Sequence, residues 1–254
     1  MTPCGRILVG TSGWAYDHWA PAFYPAGLDP AERLRFLAAR LPSVEVNRSF
    51  YRLPSREVLE GWRDETPEPF LFAFKASRYL THMKKLKDAA GPVDTLMAAA
   101  DVLGDKLGPV LFQLPPRWRC DAGRLRAFLE VLPPGHRYAF ELRDPSWYAP
   151  EVLAALAGKG AAFCVYELAG HASPREVTAG FVYVRLHGPG AAYEGRYSDA
   201  ALAEWAGTIA AWAAGGLDVY CYFDNDQAGH AARDAVRLWS LVGGFPRREA
   251  AGVR

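Results

Sequence analysis

The sequence predicts an α/β protein: a closed eight-stranded parallel (β/α)8 TIM-type barrel, forming a single domain over residues 1–254. Eight short apolar runs alternate with segments of helical periodicity, and such alternation implies parallel strands with right-handed crossovers. The 254 residues suit eight such units. Strand after strand also ends in a charged or amide side chain on one face, and barrel enzymes place their sites at the carboxyl ends of strands.

The alternative fold is an open, doubly wound sheet. That fold would require a glycine-rich phosphate turn after the first strand. Thr11-Ser12-Gly13-Trp14 occupies this place and lacks the GxGxxG spacing. The sequence therefore favours the closed barrel.

The first four strand–helix units follow from period-two alternation and from helix-starting residues. The strands are predicted at Arg6–Gly10, Ser43–Asn47, Phe70–Lys75 and Pro109–Leu114. Asp29 caps the first helix with Pro30 in its first turn, and Ser55 and Asp121 cap the second and fourth helices. These helices are predicted from Asp29 to about Leu41, Ser55 to about Glu65, Pro92 to Leu103, and Asp121 to near Pro133.

The second half repeats the pattern. In the fifth strand, bulky apolar residues alternate with Ala139, Glu141 and Arg143, and Pro145 ends the strand because proline lacks an N–H donor. The remaining strands are predicted at Ala161–Tyr166, Phe181–Leu186 and Asp218–Phe223. Helices are predicted from Pro150 to about Ala157, Ser198 to about Ala213 and about Ala228 to Leu241, with only a weak helical pattern after strand six.

Composition limits the classes of function. A formal net charge of +1 gives no whole-protein argument for a nucleic-acid or membrane partner. No apolar run approaches the ~20 residues of a membrane span. The four cysteines are scattered without a CxxC pair, and no signal peptide precedes the first strand. These features predict a cytoplasmic protein without disulfides or a structural zinc site.

Polar side chains are predicted to gather inside the carboxyl end of the barrel. Interior positions are normally apolar, and a buried ion pair often stabilises a fold less than apolar residues of the same volume would. A purely structural ion-pair plug is the alternative to a functional site, which we favour. The inward set is Glu45, Asn47, Lys75, Gln113, Glu141, Arg143, Arg185 and His187, with Asp224 at the end of strand eight. We expect Glu45, Lys75, Glu141 and Arg185 to open onto one cavity.

The motifs together resemble the YecE-like family, catalogued as domain of unknown function seventy-two. The resemblance covers nearly the whole chain and implies a TIM-type barrel, but it implies no established activity. Arg48 departs from the small polar residue expected after Asn47. The matching segments are Gly10-Thr11-Ser12-Gly13-Trp14, Glu45-Val46-Asn47, Phe50-Tyr51, Lys75, Thr81-His82, 112–116, 141–147, 185–188 and 223–225.

The predicted function is an enzyme, a hydrolase or lyase, acting on a polar anionic ligand. Phosphodiester, nucleotide or nucleic-acid chemistry is narrowly favoured, because cations line the mouth and a basic rim of Arg78, Lys84, Lys85 and Lys87 lies beside it. Glu141 is predicted as general acid or base with a pKa that depends on Lys75, and His187 as a second proton-transfer group. Glu45 and Asp224 complete the catalytic set. The predicted substrate-binding residues are Lys75, Arg143, Arg185, Asn47, Gln113, Trp14, Tyr51, Trp147 and Asn225. Phosphate is expected at the loops after strands seven and eight, with help from Arg185.

Two other functions stay open. Paired carboxylates, Glu141 with Glu45 or Asp224, suit a glycoside hydrolase, and a non-catalytic binding or scaffold protein would show the same aromatic loops. No cofactor is expected, and six histidines, of which only His187 faces the mouth from a strand, disfavour a multi-zinc site. A single divalent cation held by the carboxylates Glu45, Glu141 and Asp224 is a further alternative. Substrate, protein partners and oligomeric state do not follow from the sequence.

Overall fold

The computed structural model describes residues 4–243, and it confirms the barrel. Its eight parallel strands are β1 Ile7–Thr11, β2 Ser43–Val46, β3 Leu71–Lys75, β4 Leu107–Gln113, β5 Tyr138–Glu141, β6 Ala162–Leu168, β7 Phe181–Leu186 and β8 Asp218–Phe223. Hydrogen-bonded neighbours run β1-β8-β7-β6-β5-β4-β3-β2, so each strand lies beside its neighbours in sequence.

The ring closes between β1 and β2 through a narrow seam. One isolated parallel bridge joins Ser12 to Glu45, and the Gly13 amide donates to the Glu45 carbonyl at 2.9 Å. Gly10 permits this approach, because a Cβ at that position would lie 2.2 Å from the carbonyl oxygen of Ser43. The seam therefore requires a residue without a side chain at this position of β1.

Seven α-helices cover the strands in the described residues, as the sequence predicts. They are α1 Arg33–Ala38, α2 Arg56–Glu65, α3 Ala90–Ala100, α4 Ala122–Val131, α5 Pro150–Lys159, α6 Asp199–Ala214 and α7 His230–Leu241. The segment after β6 forms a two-residue strand, His171–Ala172, antiparallel to β6, in place of a helix. None of the described helices is long and apolar enough to cross a bilayer.

Helix caps agree with the sequence more closely than helix ends do. Asp29, Asp121 and Ser198 each accept a backbone N–H in the first turn, whereas Ser55 stands at the N-cap of α2 as predicted but its side chain makes no capping hydrogen bond. The predicted first helix begins as a 3-10 turn at Pro30–Glu32, which precedes α1. Asp29 is the N-cap of that turn and not of α1. The third helix starts at Ala90, ahead of Pro92, and continues into a 3-10 segment at Asp101–Lys106.

The interior of the barrel is layered. Its lower part is apolar and aromatic, with Leu8 and Cys164 fixing the inward phase of β1 and β6, which their sequences leave ambiguous. Four inward tyrosines, Tyr166, Tyr183, Tyr220 and Tyr222, fill much of the volume. Towards the carboxyl ends of the strands this packing gives way to a polar layer. A larger apolar core lies between the strands and the helices.

Candidate functional site

Arg185 lies at the centre of the polar layer, fully buried, and each of its nitrogens is hydrogen-bonded. Nε and Nη2 donate to the two oxygens of Glu45 at 3.0 and 2.8 Å, and Nη1 donates to Oε2 of Glu141 at 2.6 Å. Nη2 also contacts Ser12 Oγ and Asp224 Oδ2, each at 3.0 Å, and Nη1 lies 3.4 Å from Gln113 Oε1. One guanidinium thus joins groups from β1, β2, β4, β5 and β8.

Further partners complete this network. Ser12 Oγ and the Tyr183 hydroxyl donate to Glu45 at 2.5 and 2.7 Å. Arg143 Nε donates to Oε1 of Glu141 at 2.6 Å. His187, also fully buried, has Nδ1 3.0 Å from Asp224 Oδ2 and Nε2 3.3 Å from Glu141 Oε1. We call Ser12, Glu45, Glu141, Arg185, His187 and Asp224 the Arg185 network.

The charge state of Glu141 follows from this geometry. Burial by itself would raise its pKa, but the charges of Arg143 and Arg185 and the His187 contact lower the pKa well below its ordinary value. Glu141 is therefore a carboxylate at neutral pH and not a proton donor. The arginines are the cations in contact with Glu141, whereas Lys75 acts on it through charge alone, without an ion pair; the predicted dependence of the Glu141 pKa on Lys75 stays a prediction.

The carboxylates of the Arg185 network surround a guanidinium. Glu45, Glu141 and Asp224 each place an oxygen within 3.0 Å of an Arg185 nitrogen. Arg185 thus fills the position in which these three residues would hold a divalent cation. Within residues 4–243, no group of three or more His, Cys, Asp or Glu side chains has an arrangement suited to a metal ion.

A cavity of about 560 Å³ lies above the Arg185 network at the barrel mouth. Of the four residues expected to open onto it, Lys75 lines it, while Glu45, Glu141 and Arg185 lie beneath its floor, because their side chains are directed into the network. Its lining is Tyr16, Asn47, Phe50, Tyr51, Lys75, Arg78, His82, Gln113, Pro116, Arg143, Tyr193, Asp224 and Asp226. We call it the mouth cavity.

Lys75 is 95% buried at the wall of the mouth cavity. Its Nζ donates to Asn47 Oδ1 at 3.0 Å and lies 4.6 Å from the centre of the Phe50 ring. Burial, followed by the charge of Arg185, lowers its pKa from 10.5 to about 8. The burial of His82 and the nearby charge of Lys75 lower the pKa of His82 to about 4, so His82 is neutral at pH 7.

Arg143 lines the mouth cavity and has one unpaired donor. Its side chain is only 8% exposed, with Nε bound to Glu141 and Nη1 donating to the Tyr193 hydroxyl at 2.8 Å. Nη2 is buried and has no hydrogen-bond partner. Buried N–H groups are almost always paired in native proteins, so this nitrogen indicates a position for an acceptor that a ligand or a water molecule supplies.

The pKa values of the two aspartates of the mouth cavity are shifted in opposite directions. Burial would raise the pKa of Asp224, but Arg185 and His187 hold it below its ordinary range. The pKa of Asp226 is raised, first by burial and then by the charge of Asp224. Two carboxyl groups with pKa values driven apart are the usual arrangement of an acid–base pair.

A second, aromatic cavity of about 450 Å³ adjoins the first and shares Tyr16, Asn47 and Tyr51 with it. Trp14 and Trp62 form its inner wall with an edge-to-face contact at 4.8 Å, and Arg48 lies at its edge. Tyr51 is 76% exposed, unusual for a large aromatic ring. A flat ring could stack here while a charged group occupied the mouth cavity.

Two of the residues predicted to bind substrate lie outside both cavities. Trp147 is fully buried against Trp118, because the 3-10 turn Pro145–Tyr148 directs it into the outer core. Asn225 is buried, and its amide donates to the Gly195 carbonyl and to Asp234. Both residues hold loops in place.

The expected phosphate position after strands seven and eight is also not supported by the geometry. Arg185 lies under the floor with its nitrogens already bound to protein groups, and Asp224 and Asp226 line this side of the cavity. Of the predicted basic rim, only Arg78 lines the mouth cavity. Lys84 pairs with Asp88, and Lys85 and Lys87 are exposed to solvent.

Sequence reasoning left Tyr16, His82, Tyr193 and Asp226 out of the site. All four lie on loops or irregular turns, which carry no strand or helix periodicity. Two of them carry a sequence signal: Asp226 comes two residues after Asp224, and His82 belongs to the Thr81-His82 segment that resembles the family.

Comparisons with known proteins match the fold and the motifs. Residues 8–251 match the family model described as "Protein of unknown function DUF72". The protein YunF of Bacillus subtilis strain 168 is 25% identical over 93% of this chain and 94% of its own length. YecE of Escherichia coli K12 is 29% identical over 56% of this chain, and the match spans only half of YecE's length. A DUF72 family crystal structure from Thermotoga maritima superposes with a TM-score of 0.84 at 24% identity, covering 93% and 99% of the two chains.

Proposed function

Because this chain belongs to the DUF72 family, for which the matched description gives no activity, we propose its function from the site: an enzyme that binds a phosphate-bearing ligand in the mouth cavity. The observation that carries this proposal is the unpaired, buried Nη2 of Arg143. Arg143 lines the same cavity as Lys75 and Arg78. Phosphate oxygens are acceptors suited to both guanidinium and ammonium groups.

The charge on the cavity wall supports an anion. Lys75, Arg78 and Arg143 provide three cationic side chains against the two carboxyls of Asp224 and Asp226. The cations come from the β3 and β5 side and the carboxyls from the end of β8. The anionic group of a ligand would therefore meet the cations on the β3 and β5 side. A hydroxyl-bearing part of the same ligand would meet the carboxyls at the end of β8.

Nucleotides and sugar phosphates are the ligands to test first. The aromatic cavity beside the mouth offers Trp14, Trp62 and the exposed ring of Tyr51 to a base or a sugar ring. Within this proposal Asp226 exchanges the proton and Asp224 remains a carboxylate. Glu45 and Glu141 are no longer our catalytic candidates, because Arg185 and Arg143 occupy their oxygens.

The glycoside hydrolase alternative is less well supported by the same facts. It requires two carboxyl groups that both reach the substrate, and Glu141 lies beneath the cavity floor, so neither predicted pair, Glu141 with Glu45 or with Asp224, meets this requirement. A non-catalytic binding protein remains the main alternative to an enzyme, and turnover assays distinguish the two.

Calorimetry at low salt tests the proposal, with inorganic phosphate and adenosine monophosphate as probes. Arg143→Gln should weaken phosphate binding about 10- to 100-fold, because a hydrogen bond from a charged donor contributes about 1.5–3 kcal/mol. Arg175→Gln is the matched control, since Arg175 pairs with Glu204 away from the mouth cavity. Wild-type protein that binds neither probe, or equal affinities in all three proteins, would refute the proposal.

A further inference from the structure

The chain contains two buried lysines with opposite surroundings. Lys106, 6% exposed, donates to the carbonyls of Arg63 and Thr66 at 2.7 and 2.5 Å and lies 3.3 Å from Glu68. Lys75, 5% exposed, has Asn47 as its one hydrogen-bond partner and forms no ion pair with any described residue. Lys106 is a structural residue whose ammonium group is fully paired. Lys75, in contrast, still has N–H groups available for hydrogen bonding beside the mouth cavity.

We propose that Lys75 is a nucleophilic amine that forms an imine with an aldehyde or ketone carried by the ligand of the mouth cavity. The inference rests on the proposed function and names its substrate class: a phosphorylated aldehyde or ketone, such as a sugar phosphate in its open-chain form. Arg143 binds the phosphate, and the carbonyl carbon lies against Nζ.

The surroundings of Lys75 make its ammonium group lose a proton more easily than that of an ordinary lysine. Nucleophilic lysines are activated by burial or by a second cation nearby, and both act on Lys75, which lies in the field of Arg185. With a pKa of about 8, about a tenth of the amine is unprotonated at pH 7. No carboxylate forms an ion pair that would hold the ammonium form within the described part of the chain.

The step is balanced without an oxidant or reductant. The Nζ lone pair attacks the carbonyl carbon, the C=O π pair moves to oxygen, and that oxygen takes the proton that nitrogen releases, giving a carbinolamine. The nitrogen lone pair then forms C=N while the C–O bond breaks, and the hydroxyl leaves as water after accepting a second proton from a cavity acid. Nitrogen keeps its last proton in the iminium or returns it to that acid.

Two cavity residues can carry these protons. His82 is neutral, and its Nδ1 is paired with Thr81 Oγ1 at 2.9 Å, leaving Nε2 as the exchanging nitrogen. Asp226, with its raised pKa, is the second. Both line the cavity that Lys75 faces.

Borohydride trapping with pyridoxal 5′-phosphate as the probe tests the inference, followed by peptide mass mapping. We expect one dominant adduct, on Lys75, absent in Lys75→Arg, which keeps the charge but forms no imine. Lys159→Arg, away from the cavity, should label like wild type. Excess inorganic phosphate and Arg143→Gln should each slow labelling about tenfold.

The outcomes separate this inference from the proposed function. Phosphate binding by calorimetry without a Lys75 adduct would overturn the imine and leave the anion site standing. Labelling spread evenly over the surface residues Lys84, Lys85 and Lys87 would also overturn it. A Lys75 adduct formed equally well with unphosphorylated pyridoxal, and unaffected by phosphate, would support the amine chemistry and reject the phosphate site.

Discussion

Replacing Glu141 by glutamine tests the Arg185 network directly. The carboxylate accepts from Arg143 Nε and Arg185 Nη1, both at 2.6 Å, and both guanidiniums are at most 8% exposed. A glutamine oxygen can still accept from one arginine, but its NH2 group then faces the donor of the other. Removing one partner of a buried pair costs about 3–5 kcal/mol, which for a chain of this length lowers Tm by about 6–20 °C.

A double-mutant cycle identifies the stranded cation. Arg143→Met in the Glu141→Gln background should recover about 1–3 kcal/mol of the loss in unfolding free energy, because the two residues are in contact. Lys75→Met is the matched control, and its effect should add to that of Glu141→Gln within about 0.5 kcal/mol, since no hydrogen bond or ion pair joins the pair. Denaturant unfolding in each variant gives these values.

The pH dependence provides a second measurement on the same variants. A carboxyl whose folded pKa lies below its unfolded value of 4.5 contributes stability at and above that pH and loses it as the pH falls. Wild type should therefore lose more stability than Glu141→Gln between neutral pH and pH 3. A variant that melts within 2 °C of wild type, or that Lys75→Met rescues, would show that this description of the network is wrong; the 2 °C limit corresponds to about 1 kcal/mol.

Two further predictions address the seam and the catalytic pair. Gly10→Ala should destabilise the protein by about 3 kcal/mol, because the new Cβ meets the Ser43 carbonyl. The control is Gly61→Ala on α2, where the space is open, and this change should stabilise the protein by about 0.5–1 kcal/mol. Equal melting temperatures of the two variants would contradict the close approach at Gly10. Asp226→Asn should reduce turnover of a phosphodiester such as bis(p-nitrophenyl) phosphate about 10²–10⁴-fold while changing phosphate affinity less than tenfold. Asp94→Asn, on the outer helix α3, is the control for the second experiment, and a loss of affinity as large as the loss of turnover would argue against an acid–base role.

The fold was readable from the sequence because its signals are local. Alternation within a strand decides which face is inward, so Glu45, Lys75, Gln113 and Glu141 were assigned to the interior from four or five residues each. Helix caps such as Asp121 are equally local. The absent helix after β6 was visible as a weak pattern for the same reason.

The hydrogen-bond and ion-pair partners within the site could not be predicted from the sequence, because they depend on how the strands close into a barrel. Arg185 reaches across the barrel to groups on, or directly after, five other strands, and nothing in its own strand indicates that it pairs with Glu45 and Glu141 and leaves Lys75 without an ion pair. Trp147 was misplaced because the sequence shows where a strand ends but not how the following turn rotates. Tyr193 and His82 lie on irregular loops, which have no period to analyse.

Under the proposed function, the seam between β1 and β2 would link ligand affinity to closure of the barrel. Ser12 and Glu45 form both the last bridge of the ring and two corners of the network beneath the mouth cavity. A fluctuation that parts these strands therefore removes the cavity floor, and the parted state binds ligand weakly. By mass action, a ligand at 100 times its Kd would oppose such opening by about 2.7 kcal/mol. Mild denaturant should accordingly weaken binding before the helices unfold.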